Sequence, residues 1–163
     1  MEKEVSTVMK IRFGDCDPIG HLNNVKYLEY MLNAREDHIE QFYGFTYEDY
    51  IRKTGCTWIA VQNDIAYLKE VRANNKVQIS SKTIEIGERV DTVEILMKSL
   101  DGNVIHAVLW ITVIYFNMKT RKSEPQPEEV KNLFYKFHTD LDQKTFQERV
   151  MYLRKLNKSK ANS

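Results

Sequence analysis

Residues 12–24, RFGDCDPIGHLNN, carry more polar chemistry than a connecting loop needs. A loop needs Pro18, Gly20 and one Asn; it does not need Asp15, Asp17, His21, Asn23 and Asn24 together. An apolar-periodic segment begins at Val25, so these residues stand at the start of a predicted helix. A helix start offers unpaired N–H groups and a positive partial charge, suited to polarising a carbonyl oxygen. Asp17, placed before a turn containing Pro18 and Gly20, adds a nucleophile or general base at the same end. Together they make the equipment for cleaving an activated ester.

Other chemistries fit less well. Asp15-x-Asp17-x-x-Gly20 opens like a Ca²⁺ loop, but its fifth position is Ile19 and the twelfth, where a bidentate Glu is required, is Lys26. Zinc held by Cys16, His21 and Cys56 lacks a fourth ligand and any CxxC spacing, so no metal is expected. A Cys–His nucleophile pair fails on alternation, which turns Cys16 away from a cleft that Asp17 faces. Asp17 could simply cap its turn, and His21 could be a satisfied buried histidine. Asp15 reads as a loop brace, Asn23 as a cap and Tyr27 as core or pocket wall.

The elements that must hold this loop follow from pattern. VSTVMKIRF (5–13) reads as a strand. Val25, Leu28, Met31 or Leu32, Ile39 and Phe42 recur at helical spacing, with Asn23 or Asn24 as a side-chain N-cap and Gly44 as the stop. That is one helix of roughly five turns. A short helix covers 46–54 and ends at Gly55. Strands follow at 59–68, 76–86, 90–100 and 104–117. The second pair is joined by a turn at 85–88 and the last by a two-residue Asp101-Gly102 turn. The strand at 104–117 is the most apolar and is expected at the centre; residues 127–156 are helical in composition with a basic end that includes Arg149. One long helix with antiparallel strands predicts an α+β fold in which the sheet curls around the helix.

Composition narrows the classes. The 163 residues carry a net charge of +1 with both signs interspersed, which gives no nucleic-acid footprint. Apolar content of 42% with two Trp, nine Tyr and seven Phe supports a packed core. The charged start, MEKEVSTVMK, does not read as a signal peptide, the longest apolar run (104–116) is too short for a bilayer, and two cysteines make no disulfide framework. A soluble cytoplasmic protein with no membrane partner is expected.

RFGDCDPIG followed by Tyr27 resembles the signature of the 4-hydroxybenzoyl-CoA thioesterase family, the hotdog-fold acyl-CoA thioesterases. His21-Leu22-Asn23-Asn24-Val25-Lys26-Tyr27 is similar to the HVNNVKY run of plant acyl-ACP thioesterases. The resemblance covers about residues 5–125, which implies a hotdog domain over 1–125 and a C-terminal helical extension over 126–163. It implies that Asp17 is catalytic, that a backbone N–H near Asn24 is the oxyanion donor, and that His21 and Asn23 are polar site positions. Tyr67-Leu68-Lys69-Glu70 resembles the plant Y-R-R-E run, which puts Glu70 at an acidic position; read without the family, Glu70 is a solvated strand-end charge. Ile19 stands where the plant enzymes carry a catalytic Asn, so the set is a hybrid.

The resemblance implies hydrolysis of an acyl-CoA, or alternatively an acyl-ACP, without a cofactor. It also implies a homo-oligomer, a dimer or a dimer of dimers. The rival reading is a non-catalytic acyl-CoA-binding module, which would not require Asp17 beside the helix start. Strand 59–68 follows helices rather than a hairpin and carries Gln62, Asn63 and Asp64, so it is the expected sheet edge and the expected pairing surface for a second copy.

Overall fold

A computed structural model describes residues 3–162. The element order is β1 (Val5–Lys10), α1 (Asn24–His38), α2 (Tyr47–Thr54), β2 (Cys56–Tyr67), β3 (Lys76–Ile86), β4 (Val90–Ser99), β5 (Ile105–Asn117), β6 (Lys122–Ser123), α3 (Glu128–Tyr135) and α4 (Phe146–Ala161). The main strands run in the order β1-β3-β4-β5-β2, all neighbours antiparallel, with β6 paired to the end of β5. The expected curled antiparallel sheet around one dominant helix is what forms.

Helix α1 continues into a wider turn at Ile39–Tyr43 and stops at Gly44, whose φ of 85° a side chain would resist. Its buried face keeps part of the expected stripe, with Met31 and Ile39 buried and Leu28 packed on the core, but not the rest. Tyr27, Met31, Ala34, Arg35 and His38 are buried, whereas Val25 is 78% exposed and Leu32 and Phe42 are also exposed. The polar members are tolerated because they are paired: His38 lies 2.7 Å from Ser81 Oγ and 3.1 Å from Thr7 Oγ1, and Arg35 donates to Ser81 and Tyr43. Tyr27, Met31 and Ala34 then pack on Ile79, Ile95 and Leu109 of the sheet's inner face.

Several boundaries move. The first strand stops at Lys10, and a 3₁₀ turn occupies Phe13–Asp15. Strand β2 is an edge as expected, but it starts earlier, at Cys56, and a bulge between Ala60 and Gln62 breaks its alternation and leaves Val61 59% exposed. The middle strand is β4 rather than β5, because β2 must pair beyond β5. The β4–β5 turn is a four-residue loop: Ser99 N–H donates to Val104 O, and Asp101 Oδ1 accepts from Asn103 N–H.

The helical span expected after Pro127 divides into two helices. Helix α3 packs Val130 and Phe134 beside Ile39 and Tyr43. Helix α4 lies on the sheet's other face, with Leu153 against Leu96, Ile105 and Val108. Arg149 does not belong to a solvated basic face. It is buried and grips Glu94 at 2.8 Å and 2.7 Å, and Trp110 Nε1 donates to the same carboxylate. No helix among the described residues is long and apolar enough to cross a membrane.

Candidate active site

The loop of 12–23 is built almost wholly from backbone pairing. Cys16 and Leu22 face each other in an antiparallel bridge, Asp17 N–H donates to His21 O at 2.8 Å, and Gly20 N–H returns to Asp17 O at 3.0 Å. Gly20 takes φ +85°, which closes the turn after Pro18. Leu22 N–H donates to Val71 O and Ala73 N–H to Gly20 O, stitching the loop to the segment that follows β2. The same segment brings Arg72 opposite His21.

Asp17 Oδ1 accepts the N–H groups of Ile19 and His21, both at 3.0 Å. The capping role is therefore real. It uses one oxygen, and Oδ2 has no partner among the described residues. Cys16 packs half-buried against the main core, with its thiol raised by burial and then by the charges of Asp17 and Asp15.

Asp15 braces the loop against α1. Its Oδ2 accepts from Tyr30 Oη at 2.5 Å, that hydroxyl accepts Arg12 N–H at 3.0 Å, and Lys26 Nζ approaches Oδ1 at 3.8 Å. Asp15 O also accepts Asn23 N–H, which fixes the entry into the helix. Asn23 occupies the N-cap position in an extended conformation, but its side chain makes no capping bond, contrary to the sequence expectation for Asn23 or Asn24. The first-turn N–H groups of α1 are thus not consumed by an asparagine cap.

Asn24 opens the helix, and its carbonyl accepts from Tyr67 Oη at 3.2 Å. Tyr67 also meets Tyr27 edge-on, ring centres 5.1 Å apart. Tyr27 is only 2% exposed, and its hydroxyl is raised by burial while a backbone bond at Val71 pulls it the other way. Tyr27 supports the site from inside the core.

Glu70 is exposed, as a strand-end charge would be. A hydrogen bond from its own backbone lowers its carboxyl below the usual range, helped by His21, Lys69 and Arg72 nearby. His106 on β5 anchors this corner: a ring N–H at 3.0 Å from Lys69 O, and its own carbonyl accepting from Leu68 and Lys69. The structure therefore brings Asp17, His21 and the Glu70 segment to one place, beside the helix start at Asn23 and Asn24. The sequence marks Tyr67 only as part of the run ending at Glu70 and gives His106 no role; the β2–β5 register brings both to this corner. Cys56 begins β2 opposite Asn117, at the other end of the strand from Tyr67.

A carboxylate with one free oxygen, one tight turn before a helix N-terminus, can activate water or attack a carbonyl whose oxygen the helix start polarises. Residues 11–134 match the model of the thioesterase-like superfamily, and the chain belongs to that superfamily, whose general chemistry is thioester hydrolysis. Its fold is the hotdog fold of solved thioesterases. A 1,4-dihydroxy-2-naphthoyl-CoA thioesterase from Synechocystis superposes with a TM-score of 0.73 at 12% identity, over 86% of this chain and 98% of that one. A Staphylococcus aureus protein solved in complex with CoA gives 0.77 at 12% identity, over 90% of each chain. A Lactobacillus plantarum protein assigned as an oleoyl thioesterase gives 0.75 at 18% identity, covering 87% of this chain; the chain spans 54% of that protein's length. No curated protein matches the chain by sequence.

Proposed function

We propose that the chain hydrolyses an acyl-CoA to the free acid and CoA, with Asp17 as nucleophile or general base. The observation that carries this reading is the divided use of the Asp17 carboxylate: Oδ1 is fixed by two backbone N–H groups and Oδ2 is unspent. Attack on the thioester carbonyl would place negative charge on its oxygen, against the first-turn N–H groups at Asn24 and Val25. With Asp17 as general base, the proton that Oδ2 takes from the attacking water passes to the CoA sulfur as the C–S bond breaks. With Asp17 as nucleophile, the CoA thiolate leaves from an acyl–Asp17 anhydride, and the water that cleaves it gives the free acid and the proton the thiolate takes up. His21 and Asn23 hold the loop and the bound thioester, and Glu70 adds charge at the rim. Lys69 and Arg72, both exposed, suit the phosphates of a CoA carrier, and the CoA complex of the Staphylococcus relative supports that carrier over a protein one.

The test is Asp17→Asn. An amide keeps an oxygen for the Ile19 and His21 N–H groups, so the turn survives while the base is lost. Turnover across acyl-CoAs of graded length should collapse with the thermal midpoint unchanged. Turnover within threefold of the parent would remove Asp17 from the mechanism. Retained acyl-CoA binding with no hydrolysis even in the parent would favour the binding-module reading, to which the capping bonds lend support.

The same reading includes a homodimer paired through β2. That strand is a free edge with consecutive exposed residues from Ile59 to Asn63, among them Ile59 and Val61. Helix α4 covers the outer face of the sheet, which favours a dimer over sheet-to-sheet stacking into a dimer of dimers. Sedimentation at micromolar concentration should give a dimer, and a fully active monomer would sink the pairing. Residues 1–125 act as the catalytic unit and 126–163 as an extension clamped to it by Arg149 and Glu94.

A further inference from the structure

The apolar positions of α1 that the core does not claim mark a route. Val25 is 78% and Leu32 38% exposed, and they lead from the helix start toward a cavity of about 250 Å³. Strand β2 flanks the same route, with Tyr67 touching Asn24 at one end and Trp58 and Ala60 lining the cavity at the other. Leu32, Ile39, Val93 and Phe134 complete its apolar wall. The volume takes roughly eight groups of ~30 Å³ each, the size of a water or a methylene.

Three buried polar groups interrupt that wall. Arg35, 7% exposed, donates through Nη1 to two neutral oxygens, Tyr43 Oη at 3.0 Å and Ser81 Oγ at 2.9 Å, and among the described residues it forms no ion pair. Asp91, 2% exposed, spends Oδ1 on Gln126 Nε2 and Gly87 N–H. Thr83, 1% exposed, has a hydroxyl with no partner among the described residues. Glu36, exposed, and Tyr47, half-buried, add polar groups at the same cavity. Buried groups with unused hydrogen-bonding capacity are costly, so Arg35, Asp91 and Thr83 in a mainly apolar space point to a ligand that uses them.

The pairing decides the ligand's chemistry. A guanidinium donates and a carboxylate accepts, and an incoming hydroxyl can satisfy both at once. A carboxylate would set a second anion beside Asp91, and a plain alkyl end would leave every group as it is. Arg35 lies about 16 Å along the axis from Asn24 at ~1.5 Å per residue, further than one aromatic ring reaches from a carbonyl held at the helix start. We propose that this cavity receives the far end of an aliphatic acyl chain and selects one that carries a hydroxyl group there. That the chain is the substrate's acyl group rests on the thioesterase reading above; binding of a free hydroxy acid does not.

Trp58 reports occupancy. Trp110 sits on the other sheet face against Phe146, ring centres 5.5 Å apart, so Trp110→Phe leaves Trp58 as the reporting indole. Titration with ω-hydroxylauric, lauric and dodecanedioic acids should quench Trp58. The hydroxy acid should bind about five- to tenfold tighter than laurate, the worth of one net hydrogen bond. Arg35→Met and the near-isosteric Asp91→Asn should each bring that ratio close to one. Equal binding of the hydroxy acid and laurate overturns the proposal, as does tighter binding of the diacid, or a full preference in folded Asp91→Asn. Turnover of the corresponding acyl-CoAs separates the two readings. Turnover without the preference sinks only the hydroxyl assignment; the preference without turnover sinks only the thioesterase.

Discussion

The two ends of α1 are built on opposite principles. At the N-terminal end the chain keeps polar groups near water and fixes them with backbone bonds: Asp17 by the N–H groups of Ile19 and His21, the loop by Val71 and Gly20 carbonyls. At the C-terminal end polar side chains are taken inside and fix one another, with His38, Arg35, Ser81 and Tyr43 linked beneath aromatic packing. Tyr43 stacks on Phe137 there at 4.1 Å. The reaction proposed for Asp17 needs an unspent oxygen and access. A histidine that only has to fill space needs neither, and its environment penalises charge. The lesson is that backbone N–H groups hold Asp17 through one oxygen and leave the other available, whereas side-chain partners occupy both ring nitrogens of His38.

Substitutions at each end should break this contrast in different observables. The largest effect is expected from Asp17→Asn, a loss of ~10²–10⁴-fold in turnover, the usual contribution of a general base, with little change in stability. The opposite end should answer to pH instead. Burial, with the charge of Arg35, lowers the His38 pKa to about 4 from 6.5. Because the folded value is depressed, its stabilising effect is fully present above pH ~6.5 and lost as pH falls toward 4, at most about 3 kcal/mol. His38→Gln should lower stability at neutral pH and flatten the melting-temperature profile across that window; an unchanged slope would mean that His38 titrates freely.

His21→Ala should cost less than Asp17→Asn, about ten- to a hundredfold in turnover, if the side chain only orients loop and substrate. If it proves the deader variant, the plant-type mechanism is the better model and Asp17 is secondary. The smallest effect is expected from Tyr67→Phe, which removes the hydrogen bond to Asn24 O but keeps the ring against Tyr27. A loss of about 1 kcal/mol or less in stability, with turnover shifted a fewfold, would mark Tyr67 as a brace for the helix start. No change in either would make that contact incidental.

Much of this was legible in the chain before folding. Gly44 ends the long helix because only glycine accepts that left-handed turn cheaply, and Gly20 closes the loop for the same reason. The long helix, the antiparallel strands, the β2 edge and the crowding of Asp17, His21 and Asn23 before Asn24 all follow from local chemistry and spacing. Which face of α1 is buried did not follow. Val25 and Leu32 look like core by hydropathy, yet the inner face takes Arg35 and His38, because Ser81 and Thr7 arrive from other strands to pair them. The same holds for Arg149, which reads as a solvated tail charge until Glu94 and Trp110 enclose it. The β2 bulge was equally hidden, since a two-residue period does not reveal where pairing slips. Sequence alone determined the main elements and the polar loop before α1, because turns, helix stops and alternation are set by a few neighbouring residues. Only the tertiary structure decided which polar side chains are buried, and hence where the cavity lies, because burial of a charge depends on partners that the chain brings from far away.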